Sequence, residues 1–292
     1  MLFCGERHYM NQIPKLLYVP TRIACLILFF GGVLTATATT VYFNDFSGGA
    51  ASLNGLSVVD QSLSPYSASV SVESGQLRLD ATYWTTYIVA NASSFAAPYS
   101  TILKNNPGTV TWAFNVSNMD DVYANGFFFC PASDTRGGWG YYSSYILWGN
   151  GGGNPMQFYR TTWYDPPPLL LQIPSSESLD TLPSKGSFRI TYEPSSDLWS
   201  LFGHIGLDYI DPTTVTTLMG SVVDSSFTSM SLPYMEWGGA DMGSDFFDNI
   251  SVSVIPEPAT STLALLAVAT SAVLRLRQAK ARRHSPLRLS ND

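Results

Sequence analysis

The sequence predicts an all-β protein: an antiparallel two-sheet sandwich, flanked by an N-terminal signal helix and a C-terminal transmembrane helix. Three observations lead there. Between Thr39 and Ile255, short runs rich in β-branched and aromatic residues alternate with clusters of Gly, Asn, Pro and Ser. No long amphipathic helical pattern interrupts them. The sustained uncharged apolar runs lie outside that segment, near the two ends of the chain.

The leader comes first, as residues 1–38. "RIACLILFFGGVLTATATT" has an apolar core from Ile23 to Leu34, preceded by Lys15 and Arg22 and followed by small residues. Ala36 and Ala38 make an A-x-A cleavage pattern, with Thr39 as the first mature residue. The preceding "MLFCGERHY" makes this leader unusually long, and Met10 is an alternative start. Cys25 sits inside the apolar core with Arg22 three residues before it, so it does not form a lipobox. An uncleaved anchor helix is the alternative reading.

The sandwich domain follows, as residues 39–255. Its expected strands are "TVYFNDF", "ASVSVE", "QLRLDA", "TVTWAFNVS", "GFFFC", "SSYILW", "MQFYRTTW", "SFRITYE", "LWSLFGHI", "TTLMGSVV" and "FFDNISVSV". In "TVTWAFNVS", Val110, Trp112, Phe114 and Val116 share one face, the pattern of a half-buried strand. "SGGAASLNG", "NNPGT", "WGNGGGNP", "YDPPP", "EPSSD" and "IDPTT" supply the turns. Many short strands with turn signals argue for a sandwich. Without an internal repeat, a propeller or solenoid is disfavoured.

Composition narrows the partners. Residues 39–255 carry six Lys and Arg against 19 Asp and Glu, a net charge of −13, against −7 for the whole chain. Nucleic acid is disfavoured as a partner, because it requires a basic footprint. Anionic polymers are repelled as well, and neutral glycans are not. Cys130 is the one cysteine of the segment, so there is no internal disulfide and no zinc framework. It reads as a small buried hydrophobe.

The tail, residues 256–284, begins with Pro256, Glu257 and Pro258. Prolines lack the N–H donor and disfavour helix before them, so they end the last strand. Ala259 to Leu274 is 16 residues without a charge. As a helix it measures about 24 Å, slightly short of a hydrocarbon core of about 30 Å, and Leu276 with a snorkelling Arg275 extends it. Arg275, Arg277, Lys280, Arg282 and Arg283 then favour the cytoplasmic side, leaving residues 285–292 as a cytoplasmic tail. A buried core helix with a solvated basic end is the bland alternative.

Pro-Glu-Pro, an apolar run from Leu263 to Leu274 and an arginine cluster, in that order, resemble the PEP-CTERM sorting signal of exported bacterial proteins. The resemblance covers about the last tenth of the chain, and the tail runs on to Asp292, past the usual quick stop. It implies sorting through Pro256, Glu257, Pro258, Arg275, Arg277, Arg282 and Arg283, processing by a membrane peptidase called an exosortase, and an association with exopolysaccharide. The sandwich also has a likeness. An opening "YFNDFSGG", an early "ESGQLRLDA", a late "SSDLWSLFGHI" and a closing "FFDNISVSV" resemble the concanavalin A-like or laminin-G-like jelly roll. That implies an N-terminal strand lying beside the C-terminal one.

Catalytic signals are missing from the sequence. The Glu-x-Asp-x-x-Glu spacing of laminarinase-type enzymes does not occur, and Glu73, Glu177, Glu193 and Glu236 are isolated. His204, in "LFGHIGL", reads as a core or loop histidine. No G-x-S-x-G, H-E-x-x-H or P-loop lysine is found. Binding has more support. Trp139, Tyr141, Tyr142, Trp148, Trp163 and Tyr164 lie beside Gly- or Pro-rich loops, and flat rings with a polar handle suit stacking on sugars. Asp45, Asp208, Asp211, Asp241, Asp245 and Asp248 are oxygen donors of the kind calcium takes, but no EF-hand pattern joins them, and no metal or cofactor is assigned. The expectation is a non-catalytic exported protein of the cell envelope or matrix, one that takes up a glycan. A secreted polysaccharide hydrolase or lyase is the alternative, and passive packing in a biofilm a third.

Overall fold

Fifteen strands form among the described residues of the computed structural model, which are 37–60, 68–81, 86–118, 126–135, 143–149, 156–161, 168–173, 185–239, 243–257, 270–275 and 277. In chain order they are β1 (Thr39–Asn44), β2 (Leu56–Asp60), β3 (Ala68–Glu73), β4 (Gln76–Ala81), β5 (Thr86–Asn91), β6 (Gly108–Asn118), β7 (Phe127–Ser133) and β8 (Ser144–Trp148). Then come β9 (Gln157–Thr161), β10 (Leu169–Gln172), β11 (Lys185–Glu193), β12 (Leu198–Gly206), β13 (Leu218–Val223), β14 (Tyr234–Gly239) and β15 (Gly243–Pro256). All pair antiparallel, in two sheets. The first runs β13-β12-β11-β6-β15-β4-β3, with β1 also on β15; the second runs β10-β9-β8-β7-β14-β5-β2. The chain crosses between the sheets from β6 to β7 and again from β14 to β15, so β6 and β15 adjoin in one and β7 and β14 in the other. This is the nested winding of a jelly roll.

The longest strand, β15, explains how the ends meet. Its first part, from Gly243 to Phe247, pairs with β4, and its second part, from Ile250 to Val254, pairs with β1. A bulge at Asp248–Ser251 separates the two, with Asn249 at φ 51°. Asn tolerates that left-handed conformation better than most residues. The N-terminal strand therefore lies beside the C-terminal one. Burial at the bulge pushes the Asp248 carboxyl up to about 6, against a hydrogen bond from the Asn249 amide and with help from the charge of Asp45.

The core fills the space between the sheets. Val110, Trp112, Phe114 and Val116 are all fully buried, on the face that their alternation marks out. Trp112 stacks on Trp199 at 5.8 Å, and Phe114 on Phe129 at 4.1 Å across the sheets. The half-buried reading of β6 needs correction, however. Thr111, Ala113, Asn115 and Ser117, on its other face, are buried too. Residues 207–217 lie over part of that side, and Ser187 on β11 exchanges hydrogen bonds of 3.1 Å with the backbone N–H and C=O of Ile210. His204 is likewise neither core nor loop: it is an exposed residue of β12.

Two aspartates fasten the segment that links β13 to β14. Asp224 accepts from the Tyr145 hydroxyl at 2.8 Å and from Arg160 at 2.5 Å, while its backbone carbonyl accepts from the Trp199 indole at 3.2 Å. Asp197 accepts from Lys104, from the Tyr192 hydroxyl at 2.8 Å and from Thr228 at 3.2 Å. Burial works to raise the Asp197 carboxyl, but these hydrogen bonds prevail and hold it below the usual range. Burial, reinforced by the bond to Asp224, pushes the Tyr145 phenol far up.

The chain divides into two units, Ala36–Glu257 and a second made of Met1–Thr35 with Pro258–Asp292. The expected signal helix lies outside the described residues. Of the expected transmembrane helix, only a helical stretch over residues 270–275 and Arg277 is described, and no helix among the described residues is long and apolar enough to cross a membrane. The last strand takes in Pro256, one residue past the expected end at Ile255, and pairs it with Gly108.

Candidate ligand-binding face

Side chains alternate along a strand, so each strand of the second sheet has a core phase and an outer phase. Ile88, Phe127, Phe129, Tyr145, Leu147, Phe158, Met235 and Trp237 belong to the main core. In the opposite phase, Val89, Phe128, Cys130 and Ile146 form a separate apolar cluster, joined by Val59 and Tyr234. This cluster occupies the outer face of the second sheet.

Strand register lays out the rest of that face. Glu236 sits between Val89 on β5 and Cys130 on β7. Phe128 faces Trp148, which faces Gln157, which faces Gln172 at the far edge. Ile146 faces Tyr159, and Ser144 faces Thr161 with 2.6 Å between their hydroxyls. Trp148 meets Tyr159 edge to face at 6.4 Å, and the Tyr159 hydroxyl donates to the Gln157 side-chain oxygen. Trp148, Tyr159, Tyr234 and Gln157 are half-buried. Gly238, in the same phase as Glu236, adds no side chain beside Phe128.

Glu236 is 3% exposed and Cys130 2%. Burial pushes the Cys130 thiol well above its usual range, and the charge of Glu236 adds to the effect. Such a thiol stays protonated and unreactive, which agrees with its reading as a small buried hydrophobe. Along these strands, Glu236 is the one carboxylate of the outer phase among the described residues. Glycoside hydrolysis generally needs two facing carboxyls, about 5–5.5 Å or 6.5–9.5 Å apart. No group of three or more His, Cys, Asp or Glu side chains among the described residues is placed to hold a metal ion. Aromatic rings, amides, hydroxyls and one carboxylate thus share this phase of the second sheet.

Of the aromatic residues expected to stack on a ligand, Trp148 stands on this face. Trp139, Tyr141, Tyr142, Trp163 and Tyr164 lie outside the described residues, as do Ala36, Pro258, Arg282 and Arg283. Ala38 is exposed just before β1. Glu257 is exposed after β15, and its amide donates to the Pro107 carbonyl at 3.0 Å. Arg275 and Arg277 are exposed. Sequence reasoning missed Tyr159, Tyr234, Gln157 and the position of Glu236. Tyr159 and Gln157 alternate within "MQFYRTTW", and that alternation was the available signal.

The fold and this face define an all-β protein of two antiparallel sheets, the second with an outer phase that is buried at Val89, Phe128, Cys130, Ile146 and Glu236 and half-buried at Trp148, Gln157, Tyr159 and Tyr234. No protein-family model matches the sequence, and no curated protein does. Among solved structures the chain is similar to the CBM2 module of the evolved Dit of Lactobacillus casei BL23 phage J-1, at 14% identity over 76% of this chain and 97% of that one, with a TM-score of 0.47. It is similar to the carbohydrate recognition domain of Emp46p in its metal-free form, at 11% identity over 69% and 88%, TM-score 0.46. Peanut lectin with a 9mer peptide follows, at 13% identity over 76% and 100%, TM-score 0.42. Likenesses at this level decide nothing about what the chain binds.

Proposed function

We infer that the chain is an exported, non-catalytic protein of the cell envelope or matrix whose second sheet binds a neutral glycan. The observation that carries this is the outer face of that sheet. Trp148 and Tyr159 stand edge to face there, beside Gln157 and within a field of hydroxyls, with Glu236 on the same surface. Rings supply apolar area with a polar handle, and the half-buried Gln157 amide orients sugar hydroxyls. The net charge of −13 over residues 39–255 disfavours polyanions and leaves neutral chains free to approach. An array of neutral oligosaccharides, probed with the full-length chain, tests the reading. The expected result is one family of binders whose affinity falls about tenfold or more in Trp148→Ala. Array binding that survives Trp148→Ala unchanged contradicts the assignment of the face.

The address is a second part of the same proposal. The leader directs export with cleavage after Ala38. The tail halts in the membrane, and Pro256–Pro258 offer an extended segment to an exosortase, because extended backbone has no helix hydrogen bonds to break. Changing Pro256, Glu257 and Pro258 to Ala should leave membrane insertion intact and abolish processing. Neutralising Arg275, Arg277, Arg282 and Arg283 should weaken retention, since the apolar run is short for a stable span. Fractionation and intact mass in a host carrying an exosortase read both effects. A triple-Ala variant processed like wild type removes the sorting role of the motif.

A further inference from the structure

The outer face of the first sheet carries a second polar surface, independent of the one above. Register places Phe43 of β1, Ser251 of β15, Ala113 of β6, Arg189 of β11 and Phe202 of β12 in one row across five strands. The neighbouring row is made of hydroxyls alone: Thr40, Ser253, Thr111, Thr191, Ser200 and Ser221. On the other side of the Arg189 row, residues 207–217 rise over Ser187 and bound the surface.

Arg189 is the unusual member. Five cations of the sandwich are described. Arg78 pairs with Glu73 and Asp80, Lys104 with Asp197, Arg160 with Asp224 and Lys185 with Asp208. Arg189 alone among these five has no carboxylate of the described residues within ion-pair distance. It is half-buried, its guanidinium carbon lies 4.1 Å from the centroid of the Phe202 ring, and its Nε is buried without an acceptor. The Thr111 hydroxyl, one row away, is buried without a partner too.

A partly desolvated charge without a counter-charge is costly to keep. A planar guanidinium, fixed by stacking on a ring, is already in place to take a carboxylate through two parallel hydrogen bonds. Phe43, at the other end of the row, is 58% exposed, a ring open to a flat ligand. Between the strands of Phe43 and Arg189 lie three strand spacings, about 14 Å in all. Small Ser251 and Ala113, both buried, form the floor between them. That length suits a short oligosaccharide, and in the hydroxyl row beside it Thr40, Ser253, Ser200 and Ser221 reach solvent and suit sugar hydroxyls, while Thr111 and Thr191 are buried. The acidity of the whole segment argues against a polyuronate, so the acidic sugar must be an isolated one in a mostly neutral chain.

We propose that this face binds a glycan carrying a single uronate, with Arg189 holding the carboxylate and Phe43 stacking on a sugar ring further along. The site lies on the opposite sheet from the neutral-glycan face and does not rest on that reading. The test is calorimetric titration of the full-length chain with a xylo-oligosaccharide bearing one glucuronate, against the unsubstituted oligosaccharide of the same length. The substituted ligand should bind about tenfold more tightly, the worth of one charge-assisted pair. Arg189→Gln should abolish that preference, and Arg189→Lys should keep part of it, since the charge remains and the fork is lost. Phe43→Ser should weaken the substituted ligand while keeping the preference. Thermal unfolding of Arg189→Gln confirms that a lost preference is not a lost fold. Equal binding of the two oligosaccharides by the wild type overturns the proposal, as does a preference that persists in Arg189→Gln. Acetate that competes as strongly as the substituted oligosaccharide overturns the glycan part, leaving an ion site only.

Discussion

Replacing Trp112 with Ala should lower the free energy of unfolding by about 3–5 kcal/mol, the range for removing a buried aromatic ring. Trp112 is fully buried at the middle of β6, held between Val252 of β15 and Ile190 of β11. Its ring stacks on Trp199, which itself packs against Tyr145 at 4.2 Å, Tyr192 at 4.8 Å and Phe158 at 5.6 Å. The void would therefore open among large rings on two hydrogen-bonded sheets, which cannot close over it. The Trp112 indole N–H makes no hydrogen bond, so the loss is one of packing alone. Urea unfolding, with the midpoint and slope both measured, reads the change. A loss below about 1 kcal/mol would show that the ring is not buried as described.

Asp224→Ala should cost about 3 kcal/mol, near the low end for breaking a buried ion pair because Arg160 keeps 25% of its side chain in solvent. The change strips the acceptor from the Tyr145 hydroxyl and the counter-charge from Arg160 together, and both donors come from the second sheet. Asp224 follows the end of β13 in the first, so the aspartate ties the sheets at their rim. Asp224→Asn, which retains an acceptor but not the charge, should cost less. Coupling of Asp224→Ala with Tyr145→Phe in a double-mutant cycle isolates the hydroxyl's share. A cost within about 0.5 kcal/mol of zero for Asp224→Ala would make the network incidental.

The first sheet was the more legible in the sequence. β3 and β4 occupy the stretches "ASVSVE" and "QLRLDA" that alternation marks, and every strand of that sheet was anticipated. The four strands that escaped notice, β2, β5, β10 and β14, all belong to the second. The reason is visible in β14, "YMEWGG". Two glycines, a methionine and a glutamate have weak strand preference, and the strand forms because β5 and β7 flank it. With β14 unread, Glu236 looked isolated, and its place beside Cys130 depends on pairing between distant segments. β10, "LLLQ", is short and has no alternation to read. Trp148 was recognisable because it ends a clear strand, "SSYILW". The burial of both faces of β6 was not, since the residues over Ser187 belong to the connection between β12 and β13.

The central claim is that the outer face of the second sheet takes up a neutral glycan, and hydrogen–deuterium exchange with and without a saturating array-positive oligosaccharide tests it most directly. Bound sugar should slow exchange in β7, β8, β9 and β14, the strands that carry Phe128, Trp148, Tyr159 and Glu236, and leave β3 and β4 of the first sheet unchanged. Protection confined to the first sheet, or none at saturating ligand, would contradict the account.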